Sequence, residues 1–263
     1  LSDEVEVRRG APGVRLRVAG GIDAGPPERN LATRAAEAFY GALGEPPAVE
    51  VALEKRIPAA AGLGGGSSDA AAVLRALDRL HGEPLGRAGL LRLAAGLGSD
   101  VPFFLCGSPR ALAWGRGERL LSLPPLPARP VVVATPGTAL STADAFAAVA
   151  ARRGGAHPPT PVLISPEDLG SWEGTATLAV NDFEPVALER IPGLAQALAI
   201  LRRSGAEIAL LAGSGSSVFG VFASASARDA ALPQLEALGM ACRRAETRTA
   251  EPEPQVDPAA DLG

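Results

Sequence analysis

Lysine is almost missing from this chain. Of 25 basic residues in 263, only Lys55 is lysine and the rest are arginine. Cysteine is scarce too. Cys106 and Cys242 alone cannot build a disulfide scaffold or a Cys-rich zinc site, and both read as small apolar packing residues. The two histidines, His81 and His157, leave no HExxH pair. Aromatic residues make up 4%, so Ala, Leu and Val must fill the core. No apolar run approaches the length of a membrane span. Residues 1–9 alternate polar and apolar, without the apolar run of a signal peptide. A net charge of −4 gives no basic excess for nucleic acid or an anionic membrane. These absences predict a cytoplasmic protein that binds neither nucleic acid nor membrane; the expected state is a monomer or weak homodimer. An anionic ligand would need a local site.

The composition that remains is that of a folded chain, 47% hydrophobic and 21% charged. The length suits one large or two modest domains with a core that needs no staples. Val5 and Val7 alternate with charged neighbours, and Val14, Leu16 and Val18 repeat the pattern after a Gly10–Gly13 turn. The two read as a hairpin. Asn30 is placed to cap a helix running to about Leu43, and Val49, Val51 and Leu53 form the next strand. Helical spacing continues over 67–80 and 86–97, and short strands flank 115–117. The Pro-rich stretch 124–130 is the boundary candidate. It divides the chain into domains 1–126 and 127–248, with a disordered acidic tail over 249–263. The second half alternates strands at 131–134, 208–211 and 218–222 with helices at 142–153, 194–203 and 227–238. The whole predicts an α+β fold.

The most informative segment is Pro58-Ala-Ala-Ala-Gly62-Leu-Gly64-Gly65-Gly66-Ser67-Ser68-Asp69. Glycines let backbone N–H groups reach a ligand with no Cβ in the way. A helix start at Ser67 and Ser68 adds unpaired N–H donors and a positive dipole end, a seat for phosphate. It is not a Walker loop, because no Lys follows the glycines, and not GxGxxG, because Ser67 stands where the last Gly would be. The competing reading is a tight turn with Ser67 as the helix cap. Four glycines in five positions followed by two hydroxyls favour the phosphate seat.

This segment resembles the phosphate-binding motif of the GHMP kinases. Its Gly62-Leu-Gly-Gly-Gly-Ser-Ser-Asp69 form is similar to that of the branch acting on 4-diphosphocytidyl-2-C-methyl-D-erythritol in the non-mevalonate isoprenoid route. Gly98-Ser-Asp100-Val-Pro-Phe-Phe104 resembles the GADVPFF signature of that branch. Leu211-Ala-Gly213-Ser214-Gly215-Ser-Ser-Val-Phe-Gly220 resembles the third motif, a glycine-rich loop of the second domain. The resemblance runs over residues 1–247, with the motifs in family order. It implies a ribosomal protein S5 domain 2-like N-terminal domain, a ferredoxin-like C-terminal domain, and ATP-dependent phosphorylation of the 2-hydroxyl of the methylerythritol moiety. ATP and Mg²⁺ are the implied cofactors, the metal held mostly by phosphate oxygens and water, and the implied partner is a small-molecule substrate, the cytidine diphosphate-linked methylerythritol. The alternatives are a homoserine or mevalonate kinase, or a catalytically inactive nucleotide-binding fragment. Gly64–Gly66 and the Asp100-Val-Pro context argue against the first two.

The resemblance also assigns roles. Asp100 would be the general base, orienting the hydroxyl and accepting its proton; the competing reading is a helix cap or a solvated turn residue. Gly62, Gly64, Gly65, Gly66, Ser67 and Ser68 would hold the ATP phosphates. Lys55 would lie near the nucleotide base, or else be a strand-end surface charge. Thr142 and Phe146, four apart on one helix face, would take the ribose and stack on the cytosine, although Phe146 also fits a core position. Ala143 replaces a proline that many relatives carry. Gly213, Ser214 and Gly215 would close over the substrate phosphates, or form a hairpin turn, or both. Asn181-Asp182 matches a family position and reads as the cap of the next helix. The family's first motif, a Pro-Ala-Lys-hydrophobic-Asn strand with a Gly-Tyr-His segment, has no counterpart here. Leu1-Ser-Asp-Glu aligns with the family segment just beyond that motif, so the expectation is a fragment lacking about thirty upstream residues, two strands and a turn.

Overall fold

The computed structural model describes residues 1–154, 164–253 and 255. They form two compact units. The first contains Ser2–Ala59, Gly64–Pro125 and the described residues beyond 249. The second contains Ala60–Leu63 and Leu126–Thr249, with Leu1.

In the N-terminal unit, β1 (Glu4–Arg9), β2 (Gly13–Ala19) and β3 (Ala48–Glu54) make a three-stranded sheet with β3 in the centre. The expected β1–β2 hairpin does not form. β1 pairs antiparallel with β3, Val7 opposite Val51, and β2 pairs parallel with β3, Leu16 opposite Val51. The turn straddles the start of β3 instead. Gly10 N–H donates to the Ala48 carbonyl at 3.0 Å and Gly13 N–H to the Pro47 carbonyl at 2.7 Å. Alternation says which face of a strand is buried but not which strand is its neighbour. β2, helix α1 (Leu31–Leu43) and β3 form a β-α-β unit, which brings β3 back beside β2.

Asn30 begins α1 as expected, its Oδ1 accepting from Ala32 N–H at 2.9 Å. Ala32, Ala35, Ala36 and Phe39 of α1 pack with Ala70, Val73, Leu74 and Leu77 of α2 (Gly65–Leu80), over Val49 and Val51 of the sheet. Helix α3 (Gly86–Leu97) and a single 3-10 turn, Val101–Leu105, close the same core through Leu90, Ala94, Val101 and Leu105. Next comes a hairpin of β4 (Ala111–Trp114) and β5 (Arg119–Ser122). Glu251 falls within the expected disordered tail, yet its carboxylate pairs with Arg75 at 3.3 Å and accepts from Gly107 N–H at 3.1 Å. A short charge-paired contact leaves no periodicity in the sequence. Residues 254 and 256–263 of that tail lie outside the described residues.

The C-terminal unit is a four-stranded antiparallel sheet in the order β7-β8-β6-β9, formed by β6 (Pro130–Thr135), β7 (Ala206–Leu211), β8 (Val218–Phe222) and β9 (Ala241–Glu246). Numbered within the unit this is 2-3-1-4, the split β-α-β arrangement of ferredoxin-like domains. Among the described residues, α4 (Thr142–Arg153), α5 (Trp172–Thr177), α6 (Glu184–Arg190) and α7 (Leu194–Arg203) precede β7. Helix α8 (Ala225–Ala237) joins β8 to β9. Leu198 and Leu201 of α7 and Leu232 and Leu235 of α8 bury Val132, Leu211 and Phe222 on one face. On the other face Val131, Val133, Ile208 and Val221 meet Leu63 and Trp172. The six-residue α5 has no counterpart among the expected elements, being too short to show a period. No helix of the described residues is long and apolar enough to cross a membrane.

Candidate active site

The glycine segment turns into α2 two residues earlier than its hydroxyls suggest. The helix starts at Gly65, and Gly64 is the cap residue at φ 69°, ψ 14°. That left-handed conformation suits glycine. No side chain caps the helix, so Ser67 is not the cap that the competing reading required. The N–H groups of the first turn therefore stay open to an anion, at the positive end of a 16-residue helix. Ser68 Oγ donates to the Gly65 carbonyl at 2.7 Å. The glycines serve different ends. A Cβ on Gly66 would meet only Leu31 Cδ1, at 3.7 Å. A Cβ on Gly65 would lie 2.9 Å from Ile57 Cγ2 and 3.3 Å from Lys55 Nζ. Gly65 is thus required by the protein beneath it, where the sequence suggested room for a ligand.

Lys55 is not a surface charge. It is 5% exposed, and its ammonium pairs with Asp3 and, at 2.8 Å, with Asp69. Asp3 also accepts from the N–H groups of Arg56 at 2.6 Å and Ile57 at 2.8 Å. Burial pushes Asp69 up to about 6 against the opposing pull of Lys55. Burial also works to raise Asp3, but the Ile57 N–H, Lys55 and Arg56 N–H together hold it below the usual carboxylate value. Lys55 stands above its ordinary value because both carboxylates outweigh its own desolvation. Sequence reasoning misses Asp3 and Asp69, although the signal is there. Asp3 is in phase with Val5 and Val7, Lys55 with Val51 and Leu53, and Asp69 with Val73 and Leu77. Each ionic residue falls on the core side of its own element, and their charges are opposite.

Asp100 stands at the start of the Val101–Leu105 turn, just after α3. Its carboxylate makes no capping hydrogen bond and is exposed, with Ser99 Oγ 3.4 Å away. The cap reading therefore fails. The same turn carries Phe104, whose ring a Cβ on Gly64 would meet at 3.2 Å. The Asp100 turn and the start of α2 thus lie against each other within one unit.

In the C-terminal unit, Gly213, Ser214 and Gly215 lie between β7 and β8, with φ values of 51° and 92° at the two glycines. Asn181 Nδ2 donates to the Leu211 carbonyl at 2.9 Å and the Gly213 carbonyl at 2.8 Å, while its Oδ1 accepts from Phe183 N–H. The helix starts at Glu184 with Phe183 as its cap residue and no side-chain cap, so Asn181 is not the expected cap; it holds the loop and the Phe183 N–H ahead of the helix. Thr142 Oγ1 lies 3.0 Å from Ser214 Oγ, which brings two of the predicted residues together. Phe146 is 60% exposed, which excludes the core reading, and Phe183 packs edge-on against it at 4.8 Å. Gly62 belongs to this unit as well. A Cβ there would fall 2.0 Å from the Ala212 carbonyl oxygen, and Ser217 N–H donates to the Ala61 carbonyl at 3.1 Å. The sequence motif is one segment, yet its first glycine packs with the second glycine loop.

No group of three or more His, Cys, Asp or Glu side chains suited to a metal occurs among the described residues.

Comparison with known proteins agrees with these features. A model of the GHMP kinases N terminal domain matches residues 30–108, and one of the GHMP kinases C terminal domain matches residues 166–239. The chain is 46% identical to the 4-diphosphocytidyl-2-C-methyl-D-erythritol kinase of Anaeromyxobacter dehalogenans over 239 residues, 88% of this chain and 73% of that protein. It is 37% identical to the Geobacter sp. enzyme of the same name over 238 residues, 90% of this chain and 82% of that protein. A crystal structure of 4-(cytidine 5'-diphospho)-2C-methyl-D-erythritol kinase superposes with a TM-score of 0.72 at 36% identity, covering 93% of this chain and 85% of that one. Homoserine kinase from Cytophaga hutchinsonii reaches the same TM-score at 20% identity, over 95% of this chain and 86% of that one, a likeness of fold alone. With two α+β units carrying the glycine loops in family order, this chain belongs to the GHMP kinases, in the family of the 4-diphosphocytidyl-2-C-methyl-D-erythritol kinases.

Proposed function

We propose that the chain transfers the γ-phosphoryl group of ATP to the 2-hydroxyl of 4-diphosphocytidyl-2-C-methyl-D-erythritol. The observation that carries the reading is the uncapped start of α2 at Gly64, in a chain 46% identical to a kinase of that name. The open N–H groups of residues 65–67 and the Ser67 hydroxyl receive the ATP phosphates. The cradle fits, because Gly66 leaves space on the outer side of the turn. Mg²⁺ would arrive with the ATP rather than in a cluster of protein carboxylates, and would supply charge neutralisation. Asp100 orients the acceptor hydroxyl and takes its proton as the new O–P bond forms and the bond to the β-phosphate oxygen breaks, releasing ADP. Its exposed carboxylate, unspent on capping, suits that task. Phe146 offers its exposed ring to the cytosine, Thr142 its hydroxyl to the ribose, and Gly213 and Ser214 their N–H groups to the substrate diphosphate, while Gly215 N–H closes the turn on the Ala212 carbonyl. Lys55 supports the loop from beneath, since both carboxylates already engage its ammonium.

Coupled detection of ADP with three alcohols tests this. Release with the cytidylyl alcohol, and none with homoserine or mevalonate, is the expected result. Release with either of the others alone, or with none of the three, overturns it.

A further inference from the structure

We propose that Asp69, acting through Lys55 and Asp3, is a positioning residue that fixes the open N–H groups of residues 65–67 for the ATP phosphates. The inference rests on the reading of that turn as the phosphate seat. The three side chains connect both ends of the glycine segment. Asp3 receives the N–H groups of Arg56 and Ile57, where the chain leaves β3 toward the loop. Lys55 bonds to Asp69, in the helix into which the loop runs. Between them Gly65 rests on Ile57 and on the Lys55 ammonium, with no room for a Cβ. Moving Lys55 therefore moves the floor under the first helical N–H groups.

Stability alone does not account for this arrangement. Two carboxylates and one ammonium leave a surplus negative charge in the interior, and apolar residues of the same volume commonly serve stability as well or better. A directional, buried ion cluster does what an apolar plug cannot: it holds backbone donors in one register. Arg56 is not part of the cluster through its side chain, which faces outward to Glu4 and Glu54.

The test compares Asp69→Leu with Asp69→Asn by calorimetric titration of Mg·ATP and, separately, of 4-diphosphocytidyl-2-C-methyl-D-erythritol, with melting curves alongside. Leu removes the acceptor that Lys55 needs; Asn keeps an oxygen there and sheds the surplus charge. Asp69→Leu is expected to weaken Mg·ATP binding by roughly tenfold or more, the scale on which small misplacements of binding groups act. Binding of the cytidylyl alcohol should stay within about twofold, as for uncoupled sites. Asp69→Asn should stay close to wild type for both. A lowered melting temperature with unchanged Mg·ATP affinity in Asp69→Leu would reduce the cluster to a packing role and overturn the proposal. If that variant does not fold, amide exchange in the wild type decides. Mg·ATP must slow exchange at Arg56 and Ile57, whose N–H groups donate to Asp3, and unchanged rates overturn the proposal. A wild-type chain that does not bind Mg·ATP overturns the phosphate seat itself, a failure separable from that of Asp69.

Discussion

The two glycine-rich loops present backbone donors in different ways. The turn at 64–68 opens a helix, so its N–H groups carry the field of the helix behind them. The turn at 213–215 joins two antiparallel strands and has no helix behind it. The supports differ as well. Under the first turn lie two carboxylates and an ammonium. The second is held mainly by neutral groups: Asn181 on two carbonyls, Thr135 Oγ1 at 2.8 Å from Ser217 Oγ, and Thr142 beside Ser214, with one carboxylate, Glu184, accepting from Leu211 N–H at 3.2 Å at the strand end. A charged support responds to pH and fixes position strongly; a neutral one is insensitive to pH and less costly to bury. The loop proposed for the triphosphate has the charged one.

The largest effect should separate both loops from the chemistry. Asp100→Asn should lower kcat by about 10²–10⁴, the usual worth of a general base, while calorimetric Kd values for both ligands hold. A kcat within a few-fold of wild type would remove Asp100 from the mechanism. Next comes Gly62→Ala, which tests whether the first motif is anchored in the C-terminal unit. At φ 75°, with the Ala212 carbonyl 2.0 Å from the new Cβ, it should destabilise by more than about 4 kcal/mol, in the tail of single substitutions. Denaturant unfolding reads this directly, and a mild effect would contradict the packing. Phe146→Ala should raise KM for the cytidylyl alcohol by the equivalent of about 1–3 kcal/mol, leave KM for ATP alone, and barely move the melting temperature.

The charged and neutral supports are distinguished by pH. Asp69 ionises near 6 in the fold against 3.8 without it, so the folded chain holds that proton more tightly. Its buried charge is a burden above pH 6 that protonation relieves, and stability from this group grows as pH falls from about 6 toward about 4. The melting temperature of wild type minus that of Asp69→Asn should therefore rise between about pH 7 and about pH 4.5, whereas the difference from Asn181→Ala should stay flat. A flat Asp69 curve would erase the contrast. The smallest effect is Gly66→Ala, a helix-favouring change of at most about 1 kcal/mol whose Cβ meets only Leu31. Melting should rise slightly while Mg·ATP binding weakens. Unchanged binding would take Gly66 out of the phosphate seat.

Much of this is legible in the sequence because periodicity and capping are local. Asn30, the helix over 86–97 and the strands of the second half are each marked by their own residues. The features that escape are non-local. β1 and β2 carry the correct faces, but a strand thirty residues later separates them. In the candidate site, Gly62 through Ser68 stands out as a motif, yet two of those glycines answer to neighbours outside that segment, Ala212 for Gly62 and Ile57 for Gly65. Lys55 attracts notice as the single lysine, while its partners pass as ordinary acids. Asp3, Lys55 and Asp69 are separated by 52 and 14 residues, so only the fold reveals them as one cluster.

The C-terminal unit is discontinuous along the chain, since it includes Ala60–Leu63. Leu63 contributes to the face formed by Val131, Val133, Ile208 and Val221, and Ala61 supplies the carbonyl that Ser217 N–H needs. A gene cut at the Pro-rich boundary would therefore not yield two self-sufficient halves. The polypeptide starting at Leu126 would expose part of an apolar face and leave the backbone N–H of a fully buried serine unpaired. To express that half alone, the tetrapeptide 60–63 would have to be returned to it, by fusion or as an added peptide. The glycine motif therefore cannot be passed between proteins with the N-terminal unit alone, and recombination that respects it must exchange both units together.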